Sequence, residues 1–66
     1  MRIQVNGRDR QIEPGTTALG LLEALDLDPR SVVLERNREI VRRDALGDTP
    51  LGDGDRIEIV HFVGGG

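Results

Sequence analysis

The residues that point most directly to chemistry are Gly64, Gly65 and Gly66, which follow at once on an alternating apolar stretch, Arg56 to Val63. Without Cβ atoms, three successive glycines form a slim and freely turning segment. Such a segment suits a narrow channel in another protein, where it would present the carboxylate of Gly66. A carboxylate is a poor electrophile, because it is anionic and lacks a leaving group. Transfer to the α-phosphate of ATP makes an acyl-adenylate, from which a nucleophile displaces AMP. The chain contains no cysteine. If the chain carries sulfur, it cannot do so as a thiol or persulfide, and the carboxylate at Gly66 is the sensible place. A glycine tail alone is a weak signal, since disordered ends and cloning scars share its composition.

No other constellation competes. Asp53-Gly54-Asp55 opens like a calcium loop but lacks the later ligands and the closing glutamate; a turn before a strand is the expectation. Arg36, Arg38, Arg42 and Arg43 alternate with Glu35, Glu39 and Asp44, so a solvated face is expected rather than a phosphate or nucleic-acid site. His61 is the lone histidine and has no acid or second base beside it, which disfavours a catalytic triad or a histidine metal cluster. No resident metal or cofactor is expected on this chain.

Size and charge limit what else the chain does. At 66 residues, a single domain buries only about 60% of the surface its unfolded chain exposes, which leaves little room for a deep catalytic cleft. The net charge is −3 and the single aromatic residue is Phe62. Nucleic-acid binders carry a basic face and commonly stacking aromatics, so no nucleic-acid partner is expected. No apolar run approaches the ~20 residues of a membrane span, and Met1 to Val5 lacks an apolar signal core; a cytoplasmic protein with no membrane partner is expected. All nine basic residues are arginine, so no lysine side chain can accept an acyl group.

These features need a body to hold them. Met1 to Val5 alternates with Ile3 and Val5 on one face, and Asn6-Gly7 is the strongest short hairpin signal, so Arg8 to Ile12 is the return strand. After the Pro14-Gly15 turn, Thr16 or Thr17 is available to cap a helix. Ala18, Leu21, Leu22 and Leu25 recur at helical spacing, and Gly20 among them would permit close packing on a sheet. Pro29 ends the helix region. Val32 to Leu34 and Glu39 to Val41 are short strands joined by Asn37-Arg38, Arg42 to Gly47 suggests one helical turn, and Thr49 to Asp55 is a loop rich in turn formers. Arg56 to Val63 is the last strand, with Ile57 and Ile59 on one face and Glu58, Val60 and Phe62 on the other. The expected fold is α+β, with four or five strands in a mixed sheet packed on one helix. The helix stripe should cover Ile3, Val5, Ile57 and Ile59. The other face then has no cover, and Val60 and Phe62 should form an apolar patch beside the tail.

With these elements in order, the chain resembles the ThiS family, the small sulfur carriers of thiamine biosynthesis, which have the ubiquitin-like β-grasp fold. The likeness covers the whole chain. It rests on the first strand with Asn6-Gly7, on Pro14-Gly15-Thr16-Thr17 before the Leu21-Leu22 helix, on Asn37 to Arg43, on Leu51 to Val60, and on Gly65-Gly66. Two departures stand out: Arg38 where the family often has glycine, and Arg42 where it often has proline.

The resemblance implies a β-grasp domain over residues 1–63 and a flexible tail over 64–66. It implies a chain that acts as a co-substrate rather than an enzyme. An E1-like adenylyltransferase (ThiF-type) would adenylate Gly66 with Mg-ATP. A cysteine desulfurase or persulfide relay would supply sulfur to form a thiocarboxylate. A thiazole synthase (ThiG-type) would then take that sulfur. Gly64, Gly65, Phe62 and Val60 are the expected partner-binding residues. A carrier for another pathway of the molybdopterin type, a non-covalent β-grasp module and a ubiquitin-like modifier stay open on the residues alone. Deleting the tail separates carrier from module.

Overall fold

The computed structural model describes residues 1–62. The glycine tail and Val63 lie outside the described residues. The chain forms strands β1 (Arg2–Val5) and β2 (Arg8–Gln11), helix α1 (Ala18–Ala24), strands β3 (Val32–Arg36) and β4 (Glu39–Val41), and strand β5 (Arg56–His61). Two 3₁₀ turns, Pro29–Ser31 and Arg43–Asp48, lie between them.

The five strands make one sheet in the order β2-β1-β5-β3-β4. β1 and β5 run parallel at its centre, and every other neighbouring pair is antiparallel. The sheet is therefore mixed, as expected. Both hairpins turn through two residues of positive φ, Asn6 (50°) with Gly7 (82°) and Asn37 (52°) with Arg38 (72°). That geometry matches the twist of the flanking strands. Glycine adopts it freely, whereas Arg38 does so against its own Cβ.

The helix begins at Thr17, whose hydroxyl accepts a hydrogen bond from the Gly20 N–H at 3.1 Å. Thr16 instead donates to the Glu13 carbonyl at 2.7 Å. A Cβ placed on Gly20 would meet Thr16 and Thr17 at ordinary contact distance, so this glycine faces the helix entry and not the sheet. The buried stripe is Ala18, Leu21 and Leu22. Leu25 caps the helix and is only partly buried, as is Val5 opposite.

The core joins that stripe to Ile3, Val32, Leu34, Ile57 and Ile59, with Leu46 and Leu51 added. These last two come from stretches whose sequence suggests only a turn and a loop. The Arg43–Asp48 turn folds Leu46 under the sheet. The loop is tied to the helix entry by Leu51 N–H to Thr16 O and Ala18 N–H to Thr49 O, each at 2.9 Å. Among the described residues, none on the opposite face of the sheet is buried. No helix among the described residues is long and apolar enough to cross a membrane.

Candidate functional site

The site is the upper end of β5, from which the glycine tail continues. Two devices hold this end. The first is Asn6, whose side chain takes the place of a further β1 residue. Its amide oxygen accepts from the Ile59 N–H at 2.8 Å, and its amide nitrogen donates to the Ile59 carbonyl at 3.2 Å. The ladder between β1 and β5, whose backbone register ends at Val5↔Ile57, is thus prolonged by one side chain. The second device lies across the strand, where the Phe62 N–H donates to the Ser31 carbonyl at 3.0 Å. The sequence suggests a strand running to Val63, but β5 ends at His61. Phe62 lies one residue beyond it, still held by that bond to the 3₁₀ turn.

Alternation along β5 then sorts the side chains. Ile57 and Ile59 enter the core, while Val60 stays on the open face. Val60 is 58% exposed, Phe62 50% and Ile40 67%. Val60 lies directly opposite Val33, and Ile40 opposite Glu35. Ile40 and Phe62 line a cavity of about 130 Å³ together with the core residues Val32, Leu34 and Leu46, and Val60 does not border it. Val60 and Phe62 are exposed, as expected, and Ile40 is a third exposed apolar residue, two strands away on β4. Ile40 was missed by sequence reasoning, although its signal was there: in Glu39-Ile40-Val41 the residue out of phase with core-facing Val41 must point to the other face. Gly64, Gly65 and Gly66 lie outside the described residues.

Below this end lies a group that sequence reasoning did not find. Asp55 is 8% exposed, the one charged residue in the buried set. Its carboxylate accepts from the Gly52 N–H at 2.7 Å, the Arg36 Nε at 2.8 Å and the Asn37 Nδ2 at 3.0 Å. Burial acts to raise the pKa of Asp55, but the bonds from Gly52, Arg36 and Asn37 outweigh it and leave the group below the usual aspartate range. Asn37 also accepts from the Arg56 N–H at 2.9 Å through its Oδ1. The turn after β3 is thereby locked to the start of β5. Asp53 is engaged by the Arg2 N–H at 2.8 Å. Asp53-Gly54-Asp55 is therefore a turn that ties strands together, and the described residues contain no acid and histidine cluster fit for a metal.

The arginines separate in the same way. Arg36 departs from the expected solvated face, because its guanidinium turns inward to Asp55. Arg42 pairs at the surface with Asp44 at 3.5 Å, and Arg43 reaches the Arg30 carbonyl at 3.4 Å. No shared anion site forms among the four. His61 is exposed on the helix side of the sheet, opposite Val32.

A five-stranded mixed sheet clasping one helix defines a β-grasp domain. The comparisons with known proteins place it within that class. The ThiS family model matches residues 3–66. The chain is 43% identical to the sulfur carrier protein ThiS of Bacillus subtilis (strain 168), over 97% of this chain and 98% of that one. The crystal structure of the thiamine biosynthesis protein ThiS from Geobacter metallireducens superposes with a TM-score of 0.86 at 33% identity, covering both chains completely. A thiazole synthase of Magnetococcus marinus is 46% identical over the whole of this chain, which spans 20% of that protein's length. The chain belongs to the ThiS family, the small β-grasp sulfur carriers of thiamine biosynthesis.

Proposed function

We propose that this chain is the protein co-substrate that carries sulfur to a thiazole synthase on a thiocarboxylate at Gly66. An E1-like adenylyltransferase transfers the Gly66 carboxylate to the α-phosphate of Mg-ATP and releases pyrophosphate. A persulfide sulfur from a cysteine desulfurase or relay protein attacks the acyl carbon and displaces AMP. A thiol then cleaves the resulting acyl disulfide and leaves the thiocarboxylate. ATP, metal and transition-state contacts belong to the partner, since such stabilisation needs a preorganised and water-poor site. This chain supplies the reactive end, the slim Gly64-Gly65 lead to it, and a docking surface at Val60 and Phe62. Cytoplasmic partners of this kind fit a chain without cysteine.

The observation that carries the reading is a family match running from residue 3 through the three glycines to residue 66. The thiazole synthase that contains a segment like this chain supports the choice of acceptor. The test is the intact mass of the chain after incubation with the adenylyltransferase, Mg-ATP and a persulfide source. The expected result is a gain equal to one oxygen replaced by sulfur, lost on deletion of Gly66. An unchanged mass with an enzyme active on another carrier would overturn the reading.

A further inference from the structure

A second surface lies on the helix side of the same end of the molecule, and the carrier chemistry does not use it. Helix α1 has seven residues and so is roughly 10 Å long, whereas the six residues of β5 span roughly 20 Å. The helix therefore runs out before the sheet does. Beyond its end a groove of about 460 Å³ opens, floored by Val5, Leu25, Leu27 and Ile59. Three of these floor residues are only partly buried, although all four are in or packed against the core.

The rim is cationic. Residues directly opposite in an antiparallel pair share a face. Arg8 lies opposite Val5 and Arg10 opposite Ile3, so the edge strand turns both arginines towards the helix side. His61 closes the other wall, opposite Val32. Asp9 borders the groove, but its register partner Gln4 places it on the other face. Among the described residues, Arg2, Arg8, Arg10, Arg38 and Arg43 make no ion pair, and of these five only Arg8 and Arg10 border the groove. A chain of net charge −3 thus keeps two uncompensated arginines around an apolar trough.

We propose that this groove is a docking site for an acidic segment of a partner protein, one that seats an apolar side chain on Val5, Leu27 and Ile59 and sets flanking carboxylates against Arg8 and Arg10. The apolar floor supplies the burial and the arginine forks supply direction and register. The site goes beyond the carrier reading and does not rest on it, because no part of it involves the tail.

The test is an amide-resolved NMR titration of the full chain with two blocked peptides. One carries leucine and phenylalanine between aspartates and glutamates, and the other has lysines in place of the acids. The acidic peptide should give saturable shifts at Val5, Arg8, Arg10, Leu27, Ile59 and His61, and the lysine peptide should give none. Arg8→Glu with Arg10→Glu should weaken the acidic peptide at least about tenfold, since reversal turns each attraction into a repulsion. Arg8→Gln with Arg10→Gln replaces that pair if the reversal disturbs the dispersed spectrum. Deleting Gly65-Gly66 should leave the affinity unchanged even though it abolishes sulfur transfer. Absence of saturable groove shifts would overturn the proposal, as would shifts at Ile40 and Val60 instead. The same shifts with inorganic phosphate alone would also overturn it, by making the site an anion pocket.

Discussion

Asp55 shows how one side chain joins two segments. Its carboxylate binds the Gly52 N–H, Arg36 and Asn37 at once, so the loop before β5 and the turn after β3 share one anchor. Asp55→Ala leaves those donors partly buried and without an acceptor, and should cost about 2–4 kcal/mol in urea unfolding. The same group makes stability depend on acid. Its pKa is lower in the fold than the usual aspartate value, and the unfolded value is about 3.9. The stabilisation is therefore fully present above that unfolded pKa and is lost as pH falls through the lower folded one. Asp55→Asn should flatten the acid limb of the stability curve below about pH 4 relative to the parent, and an equal slope in both proteins would contradict this assignment. None of this was visible in the sequence, where Asp53-Gly54-Asp55 looks like three interchangeable turn residues. Burial distinguishes Asp55, and burial depends on where β3 lies.

At the scale of elements, the two hairpins solve one problem with different residues. Asn6-Gly7 and Asn37-Arg38 both need two consecutive positive φ values. In each, the asparagine side chain also bonds the backbone of β5, at Ile59 and at Arg56. Among the described residues Arg38 brings no such compensation to its φ of 72°, and a left-handed residue with a Cβ carries a penalty of roughly 1–2 kcal/mol. Arg38→Gly should raise the unfolding free energy by about 0.5–1 kcal/mol, after the greater freedom of glycine in the unfolded chain is discounted. A fall in the urea midpoint would show that the arginine makes a contact worth more than the strain. The hairpins, the helix stripe and the central alternation of β5 were all legible, because each is written in residues adjacent or one turn apart. The places of Leu46 and Leu51 were not. Their burial comes from contacts across the chain, and nothing in Arg42 to Asp55 has a period that announces it.

On the scale of the whole molecule, the end of β5 carries apolar surface on both sides of the chain leading to the tail. On one side lie Val33 and Val60, directly opposite each other, with Phe62 just past them; on the other lies the groove below Leu25 and Leu27. The helix covers only part of one face, so both surfaces follow from a short helix on a five-stranded sheet. Phe62→Ala removes a half-buried ring just past the last strand, so stability should fall by only about 1 kcal/mol. If the open face docks the adenylyltransferase, the same substitution should lower kcat/KM about tenfold, chiefly through KM, as expected of an exposed aromatic anchor. Unchanged kinetics for both Phe62→Ala and Val60→Ala would remove the open face from the docking role.

The sequence by itself determined the local features: a positive-φ turn at Asn6-Gly7, a second turn at Asn37-Arg38, an amphipathic stripe, and a composition without thiol or lysine chemistry. Those properties reside in single residues or in short repeating patterns, so they survive without knowledge of the fold. Only the tertiary structure decided which acid of Asp53-Gly54-Asp55 is buried, that Arg36 turns inward to Asp55 while Arg8 and Arg10 border the groove, and that Ile40 shares the open face with Val60. Each of those outcomes depends on strand order and register between residues far apart in the chain. Register is set when all the faces are buried together, and no local stretch of residues contains it.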